Sequence, residues 1–275
     1  PFTLKSNVKL IKPGNLEDDL NLINDSDWVI EAIIEDLYIK NKLYKKIDAI
    51  MKDDLILSSN TSTIPIKLLT EGLSTKFKKN FLITHFFNPP RYLKLLEIVK
   101  SNELNNEIVK KIKYYCDIKL GKTVIETKDT PGFIGNRIGI FWIERAAVEA
   151  INYNLSIEEA DEIIMNVFKV PKTGVFGLID VVGLDLIPAV VNSLLNNLPK
   201  TDYYHSVHQT PEIFNFMLEN NMIGRKADGG FYKLINKGDI KIKYSLDLNS
   251  REYSISSKPK IENFRLIKKN LSSYL

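Results

Sequence analysis

His85, one of three histidines in the chain, stands at the end of an apolar, strand-like run (Phe81, Leu82, Ile83) and shortly before an Asn88-Pro89-Pro90 breaker. Twelve residues on, Glu97 interrupts a second apolar run, Leu95 to Val99. Two short strands flanking a proline turn can bring an imidazole and a carboxylate together, and a carboxylate is what orients and charges a histidine base. The same pattern fits a buried structural histidine beside an edge-strand glutamate. Ser62 is the third residue of interest. It closes the small polar stretch Ser58 to Thr63 that follows the apolar run Leu55-Ile56-Leu57, which is where a βαβ unit binds its ligand. A serine capping a helix near Pro65 would occupy the same place.

The elements that must hold these residues can be read in order. Val8 to Ile11 suits a short strand, and the continuous apolar run Trp28-Val29-Ile30 suits a strand buried on both faces, as in a parallel sheet. Helical spacing follows over 34–51, then the strand 55–57, the two strands around the proline turn, a helix over about 103–120 and a last strand over 122–126. This is the later part of a doubly wound α/β domain, spanning 1–128. At Asp129-Thr130-Pro131-Gly132, Pro131 keeps Thr130 extended and Gly132 permits a turn, so a hinge is expected there. Beyond it the periodicity is helical for about 90 residues: 138–151, a capping box at Ser156 and Glu159 for a helix to Phe168, a loop over 170–177, and one or two helices within 178–198. The domain over 129–233 is therefore expected to be all-helical. The Lys- and Ser-rich remainder, 234–275, patterns only weakly and is expected to be a connector or tail.

Composition narrows the class. Of 275 residues, 44% are hydrophobic and 26% charged, with 38 basic against 34 acidic residues and a net charge of +4. That is ordinary for a globular protein with roughly two domains. The lysines are spread over helix-like segments and not gathered into a basic groove, which argues against nucleic acid. No apolar run reaches the ~20 residues of a membrane span. The single cysteine, Cys116, excludes an internal disulfide framework and a cysteine-based zinc site, and fits a reducing cytoplasm. His205 and His208 lie in a polar segment without a third ligand cluster and read as surface residues; no metal is expected. The dinucleotide fingerprint G-x-G-x-x-G after a first strand is not found. Neither Gly132/Gly135/Gly139 nor Gly224/Gly229/Gly230 stands in that context. The expected fold is therefore α/β, an incomplete Rossmann-like doubly wound sheet followed by a helical domain. With proline and not methionine first, the chain reads as a fragment.

Laid out in order, six stretches resemble the 3-hydroxyacyl-CoA dehydrogenase family: VIEAIIED (29–36), SSNTS (58–62), HFFNPPRYLKLLEIV (85–99), DTPGFIGNR (129–137), GLIDVVGLD (177–185) and GRKADGGFY (224–232). The resemblance is greatest to the long proteins in which an enoyl-CoA hydratase module is fused to the dehydrogenase. It implies that His85 is the general base for the substrate's 3-hydroxyl, that Glu97 orients the imidazole, and that Ser62 and Asn136 hydrogen-bond the reacting oxygens. It also implies NAD as cofactor, with contacts from Glu35, Lys40, Ser62, Asn88 and Lys226, a 3-hydroxyacyl-CoA or 3-oxoacyl-CoA substrate, and a place in fatty-acid β-oxidation. By residue type alone, Asn136 is a polar residue in a first helical turn, and Glu35 and Lys40 are charges on a solvated helix. Apolar residues of the second domain, Val181, Val182, Leu184, Leu186, Ile187, Val190 and Val191, would suit a homodimer. Two other readings stand beside this one. One is a truncated, non-catalytic acyl-CoA-binding relative. The other is a two-domain dehydrogenase of a β-hydroxy acid without CoA, in which a lysine commonly serves as base.

Overall fold

The computed structural model describes residues 4–167, 172–238 and 240–261. The chain divides into two compact units, the first ending at Ile134 and the second beginning at Gly135.

In the first unit, 3₁₀ turns at Lys5–Leu10 and Leu20–Asp25 precede β1 (Trp28–Glu31), so the strand expected over 8–11 is a helical turn instead. Then come α1 (Leu37–Ile50), β2 (Ile56–Ser59), α2 (Ile66–Leu69), α3 (Thr75–Asn80), β3 (Phe81–Phe86), β4 (Leu95–Val99), α4 (Asn106–Tyr114) and β5 (Thr123–Thr127). The five strands form one sheet in the order β1-β2-β3-β4-β5. All neighbours are parallel except β3 and β4, which run antiparallel.

Strands β2, β3 and β4 are buried on both faces, whereas Ile30 of β1, expected to be buried, is exposed. Leu57, Phe81, Ile83 and Val99 pack on one side with Leu43, Tyr44 and Ile47 of α1. Ile56, Leu82, Leu96 and Ile98 pack on the other with Ile108 and Ile112 of α4. Side chains alternate across a strand, so consecutive apolar residues serve opposite layers. The helix expected from 34 begins at Leu37, because the Asp36 carboxylate caps it through the Ile39 amide at 2.9 Å. Ile34 and Glu35 are thereby left in the loop that leads from β1.

The second unit holds α5 (Gly135–Asn152), α6 (Ile157–Val167), α7 (Phe176–Val182), α8 (Leu186–Asn197), α9 (Tyr204–Val207), α10 (Glu212–Glu219) and the antiparallel strands β6 (Tyr232–Lys237), β7 (Ile240–Leu246) and β8 (Tyr253–Ile255). The capping box forms as expected: the Glu159 amide donates to Ser156 Oγ at 3.2 Å and the Ser156 amide to Glu159 Oε2 at 2.9 Å. Phe168, the expected end of that helix, Val170 and Pro171 in the expected loop, and the tail from 262 lie outside the described residues. The segment 178–198 splits into α7 and α8 at Gly183, whose φ of +100° glycine adopts readily.

Three expectations are corrected here. The stretch taken as a connector carries three strands, and Leu246 joins the core of Ile143, Ala147, Phe176, Ile179 and Phe231. Leu234, Ile240 and Ile255 stay exposed and lysines stand between the apolar positions, which is why its strand signal is weak. Leu184, Ile187 and Val191, expected on a subunit face, are buried in that same core, whereas Val181, Val182 and Leu186 are exposed. His208 is no plain surface residue either. Its Nδ1 lies 2.9 Å from Oε1 of Glu144, a buried carboxylate on α5 that also accepts the Tyr204 hydroxyl at 2.7 Å.

Two buried carboxylates explain the glycine-rich stretch 224–232. Asp180 accepts the Phe231 and Tyr232 amides at 2.8 and 2.7 Å. Asp161 accepts the first amides of α7, Phe176 and Gly177, at 2.8 and 3.1 Å, and the Tyr232 hydroxyl at 2.8 Å. A β-carbon on Gly230 would lie 2.0 Å from Asp180 Oδ1, so only glycine lets the backbone come this close.

Candidate active site

The antiparallel step in the sheet sets the geometry. In the β3–β4 ladder His85 is the direct partner of Glu97, so both side chains leave the same face of neighbouring strands. His85 is 4% exposed and Glu97 fully buried. His85 Nδ1 lies 2.7 Å from Glu97 Oε2, and Glu97 Oε1 accepts the Ile134 amide at 2.9 Å. A carboxylate against Nδ1 holds the proton there and leaves Nε2 with a free lone pair. That nitrogen faces Ser62 Oγ at 3.1 Å. The rings of Phe87 and Phe133, centred 4.6 and 5.5 Å from the imidazole, wall the site.

Ser62 is placed from below by acids. Glu35 Oε1 accepts the Thr61 hydroxyl at 2.6 Å and the amides of Ser62 and Thr63 at 3.0 and 3.2 Å, gathering the loop after β2 around one carboxylate oxygen. Its other oxygen lies 3.4 Å from Lys40 Nζ. Lys40, on the first turn of α1, is 1% exposed and pairs at 2.7 Å with Glu31 at the end of β1. Glu31 also accepts the Ser59 hydroxyl at 2.6 Å and the Tyr44 hydroxyl. Burial pushes the Glu31 carboxyl up, but hydrogen bonds from Lys40, Ser59 and Tyr44 outweigh it and hold the group below the ordinary carboxylate range. Lys40 is thus no solvated helix charge, and Glu35, though exposed, stands in the loop before α1 with the Ser62 loop gathered on it.

Ser62, His85 and Glu97 also line up in the order of a serine-nucleophile triad. Acyl transfer would need donors for an oxyanion beside Ser62. The amides nearest to hand, those of Ser62 and Thr63, already face the Glu35 carboxylate. The Ser62 hydroxyl for its part lies against His85 Nε2, at 3.1 Å.

The first unit brings together Ser62, His85, Glu97, Glu35 and Lys40, with Asn88 exposed in the loop after β3. Asn136 and Lys226 belong to the second unit. Asn136 stands in the first turn of α5, and Lys226 is half-exposed with its ammonium 3.4 Å from Asp185. Sequence reasoning missed Glu31, whose side-chain partners arrive from nine to 28 residues away. Its only sequence signal is an acid closing an apolar strand. Among the described residues no group of three or more His, Cys, Asp or Glu is placed to hold a metal ion, and no single helix is long and apolar enough to cross a membrane.

A mixed, mainly parallel sheet with helices on both faces, and a histidine near the carboxyl end of β3 paired with a carboxylate on β4, define a Rossmann-like fold. The chain matches the family models for the 3-hydroxyacyl-CoA dehydrogenase NAD binding domain over residues 3–130 and the 3-hydroxyacyl-CoA dehydrogenase C-terminal domain over 132–234. The chain belongs to the 3-hydroxyacyl-CoA dehydrogenase family, and its first unit is the family's NAD-binding domain. It is 41% identical over 99% of its length to a Rickettsia prowazekii protein named as a fatty acid oxidation complex trifunctional enzyme, of which it covers 38%. It is 33% identical over 79% of its length to a 3-hydroxybutyryl-CoA dehydrogenase of Clostridioides difficile, of which it covers 73%. Among solved structures it resembles the (S)-3-hydroxybutyryl-CoA dehydrogenase of Ralstonia eutropha, with 30% identity, 76% of this chain and 71% of that one covered, and a TM-score of 0.66. The chain spans 38%, 35% and 29% of the lengths of three curated relatives that it matches.

Proposed function

We propose that this chain carries the proton-transfer site for NAD-dependent, reversible oxidation of (S)-3-hydroxyacyl-CoA to 3-oxoacyl-CoA, a step of fatty-acid β-oxidation. The observation that carries the reading is the continuous line from Ser62 through His85 to Glu97, with Nε2 of the imidazole left as acceptor. In the oxidation, His85 Nε2 takes the proton of the substrate's 3-hydroxyl. Glu97 keeps the imidazole in one tautomer and stabilises the imidazolium that forms. Ser62 holds the oxygen within reach of the base, and Asn136 is proposed to donate to a second oxygen of the substrate. In the reverse direction the imidazolium returns its proton to the 3-oxo oxygen.

NAD, when bound, supplies the acceptor for the hydride that leaves C3. The residues present fit its reactive end: Ser62 at the carboxyl end of β2 and the exposed Asn88 after β3 stand where an open α/β sheet takes its ligand. Glu35 would contribute directly at the same place, Lys40 through its hold on Glu35, and Lys226 from the second unit. In the same reading the protein works in the cytoplasm as a homodimer joined through the helical unit, where Ile138, Val182 and Leu186 are exposed. Sedimentation of the purified protein tests that part.

The test is turnover of acetoacetyl-CoA with NADH by the protein that carries this chain, compared with its His85→Gln variant. Loss of turnover in a folded variant supports the reading, and normal turnover overturns it. Calorimetry with NAD and acyl-CoA identifies the alternative, a non-catalytic binding relative, by binding without turnover in the unsubstituted protein.

A further inference from the structure

Lys122, just before β5, is 7% exposed, and among the described residues no carboxylate lies within ion-pair distance of its ammonium. Its Nζ donates instead to two backbone carbonyls, those of Pro90 and of Leu93, the latter at 2.8 Å, and lies 5.8 Å from the centre of the Phe86 ring. A buried cation held only by neutral groups is costly, and such groups are retained where their donors are needed.

Both carbonyls belong to the loop that runs from the His85 strand to the Glu97 strand. That loop is exposed from Asn88 to Lys94. Its Tyr92 and Leu93 amides share one acceptor, the Pro89 carbonyl, at 3.0 and 3.1 Å. It rejoins the sheet where the Thr123 amide donates to the Lys94 carbonyl at 2.8 Å, next to Lys122 in the chain. The His85–Glu97 pair does not depend on this anchor, since the β3–β4 and β4–β5 ladders fix it independently.

We propose that Lys122 is a positioning residue for the reaction: its ammonium clips the 88–94 loop to the start of β5 and so holds Asn88 where the site can use it. The kinetic part rests on the function proposed above; the structural part does not.

Hydrogen exchange on Lys122→Met, which keeps the apolar stem and removes the donors, reads the clip directly. The Tyr92 and Leu93 amides should exchange on the order of tenfold faster while those of β3 and β4 keep their protection. In the same variant the KM for NAD should rise on the order of tenfold, with the pH profile of kcat unchanged because the base and its carboxylate are untouched. Unchanged loop exchange, or protection lost across the whole sheet, overturns the proposal. So does faster loop exchange with unaltered kinetics. If Lys122→Met does not fold, lysine-selective ¹⁵N spectroscopy of the unsubstituted protein decides. A slowly exchanging ammonium at Lys122 is expected, and a freely exchanging one overturns the clip. Absence of turnover in the unsubstituted protein would count against the dehydrogenase reading alone and leave the exchange result standing.

Discussion

His85 and Glu97 are register partners across an antiparallel pair of strands, so the backbone ladder, and not a loop, sets the 2.7 Å contact between them. A contact held by rigid strands needs no reorganisation as charge develops on the imidazole. His85→Gln is therefore expected to lower kcat by about 10²- to 10⁴-fold, the usual weight of a general base, with little change in thermal midpoint. Steady-state kinetics beside a melt separates the two effects.

Glu35 is expected to govern the Ser62 loop. In Glu35→Ala the Thr61 hydroxyl and the Ser62 and Thr63 amides lose their shared acceptor. A loss of about 1–3 kcal/mol in urea unfolding is expected, since partly buried donors are left unmade. The kcat should fall together with that of Ser62→Ala, and the double variant should lose little more than either one, as for residues acting as a unit.

Glu31 and Lys40 form a buried pair at 2.7 Å. Removing one partner strands the other's charge, so Glu31→Gln is expected to cost about 3–5 kcal/mol. Glu31→Gln combined with Lys40→Met should cost less than the sum of the two single changes. Chemical denaturation of the four proteins in the cycle measures the coupling.

Asp161 and Asp180 give the second unit its own pH dependence. Burial pushes each carboxyl up to about 6, and for Asp180 the charge of Asp161 adds to the rise. The unfolded carboxyl titrates near 3.9, so between roughly pH 4 and 6 the folded chain binds more protons than the unfolded one. The stabilising contribution is complete below the unfolded pKa and is lost as pH rises through about 6. Lowering the pH from 7 to 5 should add about 1 kcal/mol for each group, in a range above that where Glu31, held low, would be protonated. Denaturant melts at the two pH values, repeated on Asp161→Asn, check this; a variant with the same pH response would refute the assignment to Asp161.

The pair at the heart of the site was legible because both members lie in one short stretch between recognisable strands, 85–99. Strands β2, β3 and β4 could be placed for a related reason: strands buried on both faces are continuous apolar runs. What the sequence hid was side-chain partnership across distance. Lys40 spaces like a solvated helix charge, and only the arrival of Glu31 at the end of β1 makes it a buried cation. Glu144 sits in an amphipathic helix and finds His208 and Tyr204 some sixty residues later. The strands from Tyr232 to Ile255 escaped notice because few of their side chains enter a core: Ile240 and Ile255 remain exposed, and Lys241 and Lys243 stand among the apolar positions.

The antiparallel step between β3 and β4, in a sheet whose other neighbours are parallel, has a consequence for how the site comes into being. A parallel neighbour would need a long crossover between the base and its acid. Here the two are twelve residues apart, and closing so short a loop costs little entropy. The imidazole and its carboxylate can meet as soon as this one hairpin-like segment forms, before distant strands have docked. The proton-handling pair is thus a local product of the chain, and the surrounding sheet serves to make it permanent.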